Sequence, residues 1–527
     1  MHHRKVLFLA IVFSGLIPFS ISAEKFKIDE ITLESKGKTK SEFLIEKIPP
    51  VNKTVVFESL DDLESYLNEI RQNLENTKLL EGLEFTYETS GIQNGISLVK
   101  AVYSFYDSTS LLILPKPSYD SNKGAELEIA LKDNNFLGFT NTLSSGLTLN
   151  FGDEDEPERF SKFTPGFKFD YSLPFRISKS KNQFLTSLDF HWCVEKTLPY
   201  FTYTTGAVFG IPFGKDNQNE IDFTFKQSII RDTDYCKYND EFYFVEYGEV
   251  AVPLAIADID LSTKLYYRPV ISINHNWDKD GISELNLDLR QTPLLKPGNE
   301  LYAQRIDWTN DNNFRNGYSF LLGTYLGLDL HRKKHEDVLV PSIEAALKLY
   351  KAFEHAAINT SIQILASHNY RYNIGKFIRG ALDKSEFSDG IIVDDRNYAF
   401  VTPSALILNL DFPFHIVSTD WVRFFNQAGM KNEKLLSMMN FEMQLGPFID
   451  VALIDNRGTE NKFSLKEGIY TSGIELLVYP TKWKSFVIRG SLGFDISKKF
   501  LDGKYGFDSS WRDGKDWECY IGLGLHF

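Results

Sequence analysis

Cysteine, positive charge and long apolar runs are all scarce in this chain of 527 residues. It has only three cysteines, Cys193, Cys236 and Cys519, which is too few for a disulfide framework or a cysteine metal cluster. A bridge between Cys193 and Cys236 and a set of unpaired thiols are both open interpretations. The formal net charge is −14 with no evident basic patch, so nucleic acid is not an expected partner.

The scarcity of apolar runs excludes a helical membrane protein with several spans. Only Val6 to Phe19 is continuously apolar, and its length of about fourteen residues falls short of the ~20 that a spanning helix needs. Basic residues precede it and Ile21-Ser22-Ala23 follows it, a pattern typical of a cleaved signal peptide. The sequence therefore predicts a signal peptide at residues 1–23.

Motifs for catalysis are also missing. The chain contains no G-x-S-x-G, H-E-x-x-H or phosphate-loop pattern. His331 and His335 lie in a charged turn, where a solvated loop is favoured over a metal site. We expect no catalytic residues, no metal, no cofactor and no enzyme activity.

What the chain does have is aromatic residues and alternation. Aromatics make up 14% of the residues, including 43 Phe and 25 Tyr. From about Leu111 onward, segments of ~10–14 residues alternate between apolar and polar positions, which is typical of strands with one apolar and one polar face. One clear case places Leu406, Leu408 and Leu410 on one face, with Asn409 and Asp411 on the other.

These runs predict a mainly β protein, with an antiparallel transmembrane barrel at residues 107–527. A soluble β-sandwich would alternate in the same way, but the strands are long and continue for some 400 residues without a break. About seventeen or eighteen candidate runs are present. A barrel of about 16 strands is expected, so one or two runs between Asp240 and Asp307 would be loop strands.

Residues 24–106 differ from the rest and predict a small α+β domain of order β-α-α-β-β. Thr39 with Glu42 has the spacing of a capping box for a first helix. Ser59 with Asp62 opens a second, whose apolar face is Leu60, Leu63, Leu67, Ile70 and Leu74. Two alternating strands follow.

One loop carries the candidate site, at Ile378-Arg379-Gly380. If the barrel prediction holds, the strand from Gly446 to Ala452 points Asp450 into the lumen. An unpaired charge away from water is costly, so a loop folded inward would bring Arg379 to Asp450. The sequence therefore predicts a lumenal loop anchored by this pair.

The last segment alternates as well, from Ile521 through Gly522 and Leu525 to the terminal Phe527. We expect the last barrel strand to run from Trp517 to Phe527. It has one apolar face, and its glycines allow a neighbouring backbone to approach closely.

Taken together, these segments resemble the Omp85 superfamily, the outer-membrane assembly factors of the BamA and TamA type. Asp133-Asn134-Asn135-Phe136-Leu137-Gly138 is similar to its early-barrel D-x-N-x-x-G turn, and Ile378-Arg379-Gly380 to the tip of its inward-folded sixth loop. Phe448-Ile449-Asp450-Val451-Ala452 is similar to the F-x-D-x-G strand that receives the arginine, with Ala452 in place of glycine. The end at Phe527 resembles the family's barrel recognition signal.

The resemblance implies several further properties. Residues 24–106 would be a single POTRA-like periplasmic domain, which offers little docking surface for accessory lipoproteins. Periplasmic chaperones or accessory lipoproteins would be further partners. The barrel would lie in the bacterial outer membrane, with a weak seam between its first strand, near Leu111–Tyr119, and its last. Unfolded outer-membrane or exported polypeptides and the lipid bilayer would be its partners. A passive porin and a secretion pore for one partner protein are the alternatives.

Overall fold

The computed structural model describes most of the chain. The described residues are 25–49, 51, 53–120, 124–151, 163–192, 199–214, 219–231, 243–260, 263–277, 293–309, 312–330, 338–380, 390–391, 400–427, 433–455, 460–483, 486–511 and 516–526. The predicted signal peptide, Cys193, Cys236, His331, His335 and Phe527 lie outside them. None of the described helices has the length and apolar composition needed to cross a bilayer.

The N-terminal module consists of residues 25–107. Its strands form one sheet in the order β2-β1-β4-β3, with β1 and β4 parallel. Two helices lie between the strands in sequence, so the β-α-α-β-β order is present with a short extra strand, β2. The bounds are β1 Lys25–Ser35, α1 Ser41–Leu44, β2 Val56–Phe57, α2 Leu60–Asn76, β3 Leu80–Gln93 and β4 Ile96–Asp107.

The two predicted helix starts have different outcomes. The Ser59 hydroxyl accepts a hydrogen bond from the Asp62 N–H at 3.1 Å, which caps α2 as expected. α2 then buries an apolar face against the sheet that includes Leu63, Leu67 and Leu74. The capping box at α1 is wrong. Lys40 is its N-cap without a side-chain bond, because the Thr39 hydroxyl donates to Asp107 Oδ1 at 2.5 Å instead.

The remaining strands close into an antiparallel barrel. The bounds are β5 Leu111–Asp120, β6 Gly124–Asp133, β7 Leu143–Phe151, β8 Phe163–Ile177, β9 Ser180–His191, β10 Tyr200–Phe213, β11 Asn219–Arg231, β12 Tyr243–Ala251, β13 Leu254–Asp258, β14 Lys264–Trp277, β15 Pro293–Trp308, β16 Arg315–Asp329, β17 Leu339–Ala352, β18 Ala357–Ser367, β22 Ser404–Asp411, β23 Phe414–Ser418, β24 Phe441–Ile454, β25 Ile469–Pro480, β26 Ile488–Asp495 and β27 Trp517–Leu523. Two helices, α3 Trp421–Gln427 and α4 Glu433–Met438, lie between β23 and β24.

The barrel has 18 strands, so the expected number of 16 is wrong. β12 and β13 both pair with β14 and together form one strand; β22 and β23 do the same against β24. Each break holds a proline, Pro253 or Pro413, which has no N–H to give to the ladder. The runs between Asp240 and Asp307 are barrel strands and not loop strands, because β12, β14 and β15 each pair on both sides and β13 continues β12 along β14.

The barrel has an apolar outside and a charged inside, which confirms the alternation. Leu406 on β22 is 39% exposed, whereas Asn409 is 1% exposed on the inner side of the same strand. Ion pairs link neighbouring strands within the barrel, including Lys116 with Glu128 at 3.0 Å. This distribution is the reverse of a soluble protein and matches a barrel with lipid outside.

Candidate functional site

The connection between β18 and β22 folds back into the barrel. Its short strands β19 (Tyr370–Asn373), β20 (Gly390–Ile391) and β21 (Val401–Thr402) form a small sheet, and a 3₁₀ turn at Gly375–Phe377 leads to Ile378-Arg379-Gly380. We call these last three residues the loop tip. Ile378 is fully buried in an apolar cluster that includes Ala452, so alanine at that position fills space under the loop.

The structure brings Arg379 and Asp450 together, as the sequence predicts. Arg379 Nε and Nη2 donate to the two carboxylate oxygens of Asp450 at 3.0 and 2.7 Å, and the Arg379 backbone N–H donates to Oδ2 at 2.9 Å. Such a bidentate arrangement fixes the plane of the guanidinium as well as its position. Arg379 is 4% exposed and Asp450 is fully buried, so neither charge has water as an alternative partner.

Sequence reasoning missed two further carboxylates on Arg379. Nη2 also donates to Asp411 Oδ1 at 2.6 Å, and Nη1 donates to Glu475 Oε2 at 3.1 Å. Alternation places Asp411 on the inner face, but alternation gives no depth within the barrel and so did not connect it with Arg379. Three neighbouring strands therefore each contribute one carboxylate to one guanidinium.

Two more side chains complete the surroundings of the guanidinium. The ring of Phe448 lies under it, with its centroid 3.9 Å from the Arg379 Cζ. Asn409 Nδ2 donates to Asp450 Oδ1 at 2.9 Å and to the Phe377 carbonyl at 2.7 Å, which ties the carboxylate to the loop backbone. Burial opposes the charged form, but Asp411 and Asp450 outweigh it and raise the pKa of Arg379, so the guanidinium stays charged.

Glycine is required where the loop tip meets the barrel wall. Gly380 has φ +81°, and a Cβ there would lie 2.7 Å from the Phe494 nitrogen. Gly493 on β26 is its counterpart, since a Cβ on Gly493 would lie 2.6 Å from the Gly380 Cα. The two glycines let two backbones touch without an intervening side chain.

A second candidate region, the turn from Asp133 to Gly138, contacts the N-terminal module. Asn135 Nδ2 donates to Thr39 Oγ1 at 2.6 Å, and Lys38 Nζ pairs with Asp133 Oδ2 at 3.1 Å. Gly138 has φ +78°, and a Cβ there would lie 1.9 Å from the Lys38 carbonyl oxygen. These three predicted residues therefore join the barrel to the module, a contact that the motif alone does not indicate.

We expect Asn135→Ala to loosen this junction. Asn135 is 1% exposed, and its Oδ1 accepts from the Thr140 N–H at 3.0 Å, so the substitution removes the acceptor of this buried N–H and a donor to the Thr39 hydroxyl, at a cost of about 1–3 kcal/mol. Hydrogen exchange of residues 38–43 should accelerate by roughly tenfold or more, since every 1.4 kcal/mol is a factor of ten. Asn134→Ala, next in the chain, is the control; equal exchange in both variants would contradict the role of Asn135.

The module also contacts the barrel about halfway around its rim. Arg305 at the end of β15 pairs with Glu69 of α2 at 2.9 Å, and Asn76 Nδ2 donates to Asp307 Oδ1 at 3.0 Å. A polar cavity of about 680 Å³ lies between these contacts and the Asp133–Gly138 turn. The module thus covers the barrel mouth from one side to the other.

The first and last strands of the barrel meet in a short seam. β5 and β27 share two residue pairs, Tyr520 with Asp120 and Ile521 with Tyr119. By comparison, β5 pairs with β6 over ten residues, and β27 pairs with β26 over seven. The edge of β5 from Leu111 to Ser118 therefore has no ladder with β27.

The end of the chain differs from the prediction. β27 ends at Leu523 and does not run to Phe527, because Gly524 takes φ +98° and turns the backbone. Leu525 and His526 then line a small interior cavity beside Asp411 and Glu475, so Leu525 is not on the outer face. Gly522 lies under the Tyr520 side chain, since a Cβ there would be 2.2 Å from its hydroxyl oxygen.

Comparison with known proteins gives structural neighbours only. No protein-family model matches the chain, and no curated protein sequence matches it. One solved neighbour is BamA from Haemophilus ducreyi lacking POTRA domains 1–3 (12% identity, 95% of this chain, 85% of that chain, TM-score 0.40). Two more are CdiB from Acinetobacter baumannii (11%, 94%, 73%, 0.40) and CdiB from Escherichia coli (11%, 95%, 76%, 0.47).

Proposed function

We propose that this chain is an Omp85-type barrel of the bacterial outer membrane that inserts or translocates polypeptides. Its N-terminal module would be a POTRA-like domain in the periplasm. The outer face of the barrel would contact lipid, and unfolded outer-membrane or exported polypeptides would be its clients.

The short seam carries this proposal. The edge of β5 that is open from Leu111 to Ser118 has backbone C=O groups, and N–H groups at every residue except Pro115 and Pro117, with which a client strand can pair. In a bilayer each unpaired backbone group costs several kcal/mol, so a templating edge lowers the barrier to inserting a strand. Such a reaction needs neither a nucleotide nor a catalytic side chain.

The loop tip and the N-terminal module also support the proposal. The tip binds carboxylates on β22, β24 and β25, which keeps that sector of the wall rigid beside the seam. The module covers the mouth next to the place where a client would enter. A passive porin has no use for a module across its mouth, so this module favours protein handling over solute flow.

Depletion of the protein in its own cells tests the proposal. Insertion of polypeptides predicts that many outer-membrane proteins fall in abundance together, because all depend on the same edge. Loss of one solute's uptake with normal outer-membrane proteins would contradict the proposal and favour a channel. Loss of a single exported protein would favour a dedicated secretion pore.

A further inference from the structure

Glu518 on β27 contacts the loop tip. Its carboxylate oxygen Oε2 accepts a hydrogen bond from the Gly380 N–H at 2.7 Å. Glu518 is 5% exposed, so this is a buried, charge-assisted bond between the seam strand and the loop tip. It joins the tip to the last strand of the barrel, in addition to the strands that hold Arg379.

The geometry around this bond depends on two glycines. Gly493 of β26 is the register partner of Glu518 on β27. Because Gly493 has no side chain, the space on the inner face beside Glu518 is open, and Gly380 occupies it. The Gly380 N–H then reaches the carboxylate directly. A side chain at either glycine would separate the tip from β27.

β27 needs support on its inner face because its seam is weak. It shares two residue pairs with β5, and its seven-residue ladder with β26 is its main backbone attachment. A second inner contact lies two residues after Glu518, where the Arg489 Cζ lies 4.3 Å from the centroid of the Tyr520 ring. Arg489 belongs to β26, so only the Glu518 bond connects β27 with the loop tip among these contacts.

We infer that Glu518 is a positioning residue through which the loop tip holds β27 closed against β5. Arg379 fixes the loop tip to the barrel wall. The bond from the Gly380 N–H to Glu518 then restrains β27 as well. The strength of one buried charged hydrogen bond is comparable to that of a two-pair seam. Its loss should therefore shift the opening equilibrium of the seam strongly. The inference rests on the proposed function but concerns strand pairing only.

Hydrogen exchange of the purified full-length barrel in lipid nanodiscs tests this inference. In Glu518→Ala, the amides of residues 517–523 should lose protection by about ten- to hundredfold, which corresponds to roughly 1.4–2.8 kcal/mol. Amides of β15 and β16, far from the seam, should keep their protection. Glu518→Gln keeps an acceptor oxygen without the charge, and its loss should be clearly smaller.

Gly380→Ala should break the same contact in a different way, because the added Cβ collides with β26 while the Glu518 side chain is unchanged. It should reproduce the loss of protection, and the double variant should lose no more than either single variant. Unchanged protection at 517–523 in folded Glu518→Ala would overturn the inference, as would additive effects in the double variant. Because exchange does not measure client assembly, failure here leaves the proposed function standing, and the reverse also holds.

Discussion

A disulfide across the seam, formed by Tyr119→Cys with Ile521→Cys, is expected to lower the rate of client assembly at least tenfold under oxidising conditions. Reduction of the disulfide should restore that rate. The two residues are register partners on β5 and β27. Directly opposed residues of antiparallel strands lie within the Cα separation that a disulfide requires. The bond would keep the β5 edge from opening to a client strand.

The measurement is the folding of a heat-modifiable barrel client by the reconstituted protein, before and after addition of a reductant. Cys193, Cys236 and Cys519 are replaced by serine in every variant. Tyr119→Cys with Ala125→Cys is the matched control, since these register partners lie on β5 and β6 and leave the seam free. Full assembly by the cross-linked seam would contradict insertion through it and would favour passage through the lumen.

Arg379→Ala is the substitution with the second large effect. It leaves the buried carboxylates of Asp411, Asp450 and Glu475 without their shared cation. Breaking a buried pair by removing one partner costs about 3–5 kcal/mol. The tip should leave the wall, and client assembly should fall at least tenfold while the barrel itself still folds, because its strand ladders are unchanged.

Three measurements check this result. They are client assembly, the heat-modifiable mobility of the folded barrel, and hydrogen exchange of residues 374–380. Arg379→Lys keeps the charge but loses the bidentate geometry, so its activity should be intermediate. Arg268→Ala is the control, because Arg268 also binds two interior carboxylates, Glu249 and Glu300, but far from the tip. Normal assembly in Arg379→Ala with a released tip would refute the anchoring role.

Strand type and the need of Arg379 for a buried carboxylate could be predicted from the sequence because both follow from general physical rules. Alternation with period two places Asn409 and Asp411 on one face whatever the tertiary structure, and the closed antiparallel barrel confirms this. That a buried Arg379 pairs with a carboxylate follows from the cost of burying either charge alone, and the choice of Asp450 follows from the resemblance of Phe448–Ala452 to the F-x-D-x-G strand. The Ser59 cap was also correct, because a capping serine acts within four residues of itself.

The strand number and the chain end depend on neighbours that a sequence pattern does not show. The run from Tyr243 to Trp308 is ambiguous alone, and it becomes part of the barrel wall only because β12, β14 and β15 have partners on both sides and β13 pairs with β14. The run from Ile521 to Phe527 alternates well, yet Gly524 turns it inward and Leu525 lines the interior. Thr39 matched a capping box, but Asp107 and Asn135 bind its hydroxyl instead.

The amino-acid sequence by itself determined which residues face inward, that the chain forms strands, and that an interior arginine needs a carboxylate. Burial cost and the two-residue period of a strand are properties of the local chain, and so they can be inferred without coordinates. Only the tertiary structure decided that Asp411, Glu475 and Glu518 converge on the loop tip, and that β5 and β27 meet over two pairs. Those contacts depend on register and depth around a closed ring of strands, which are set by all the strands together.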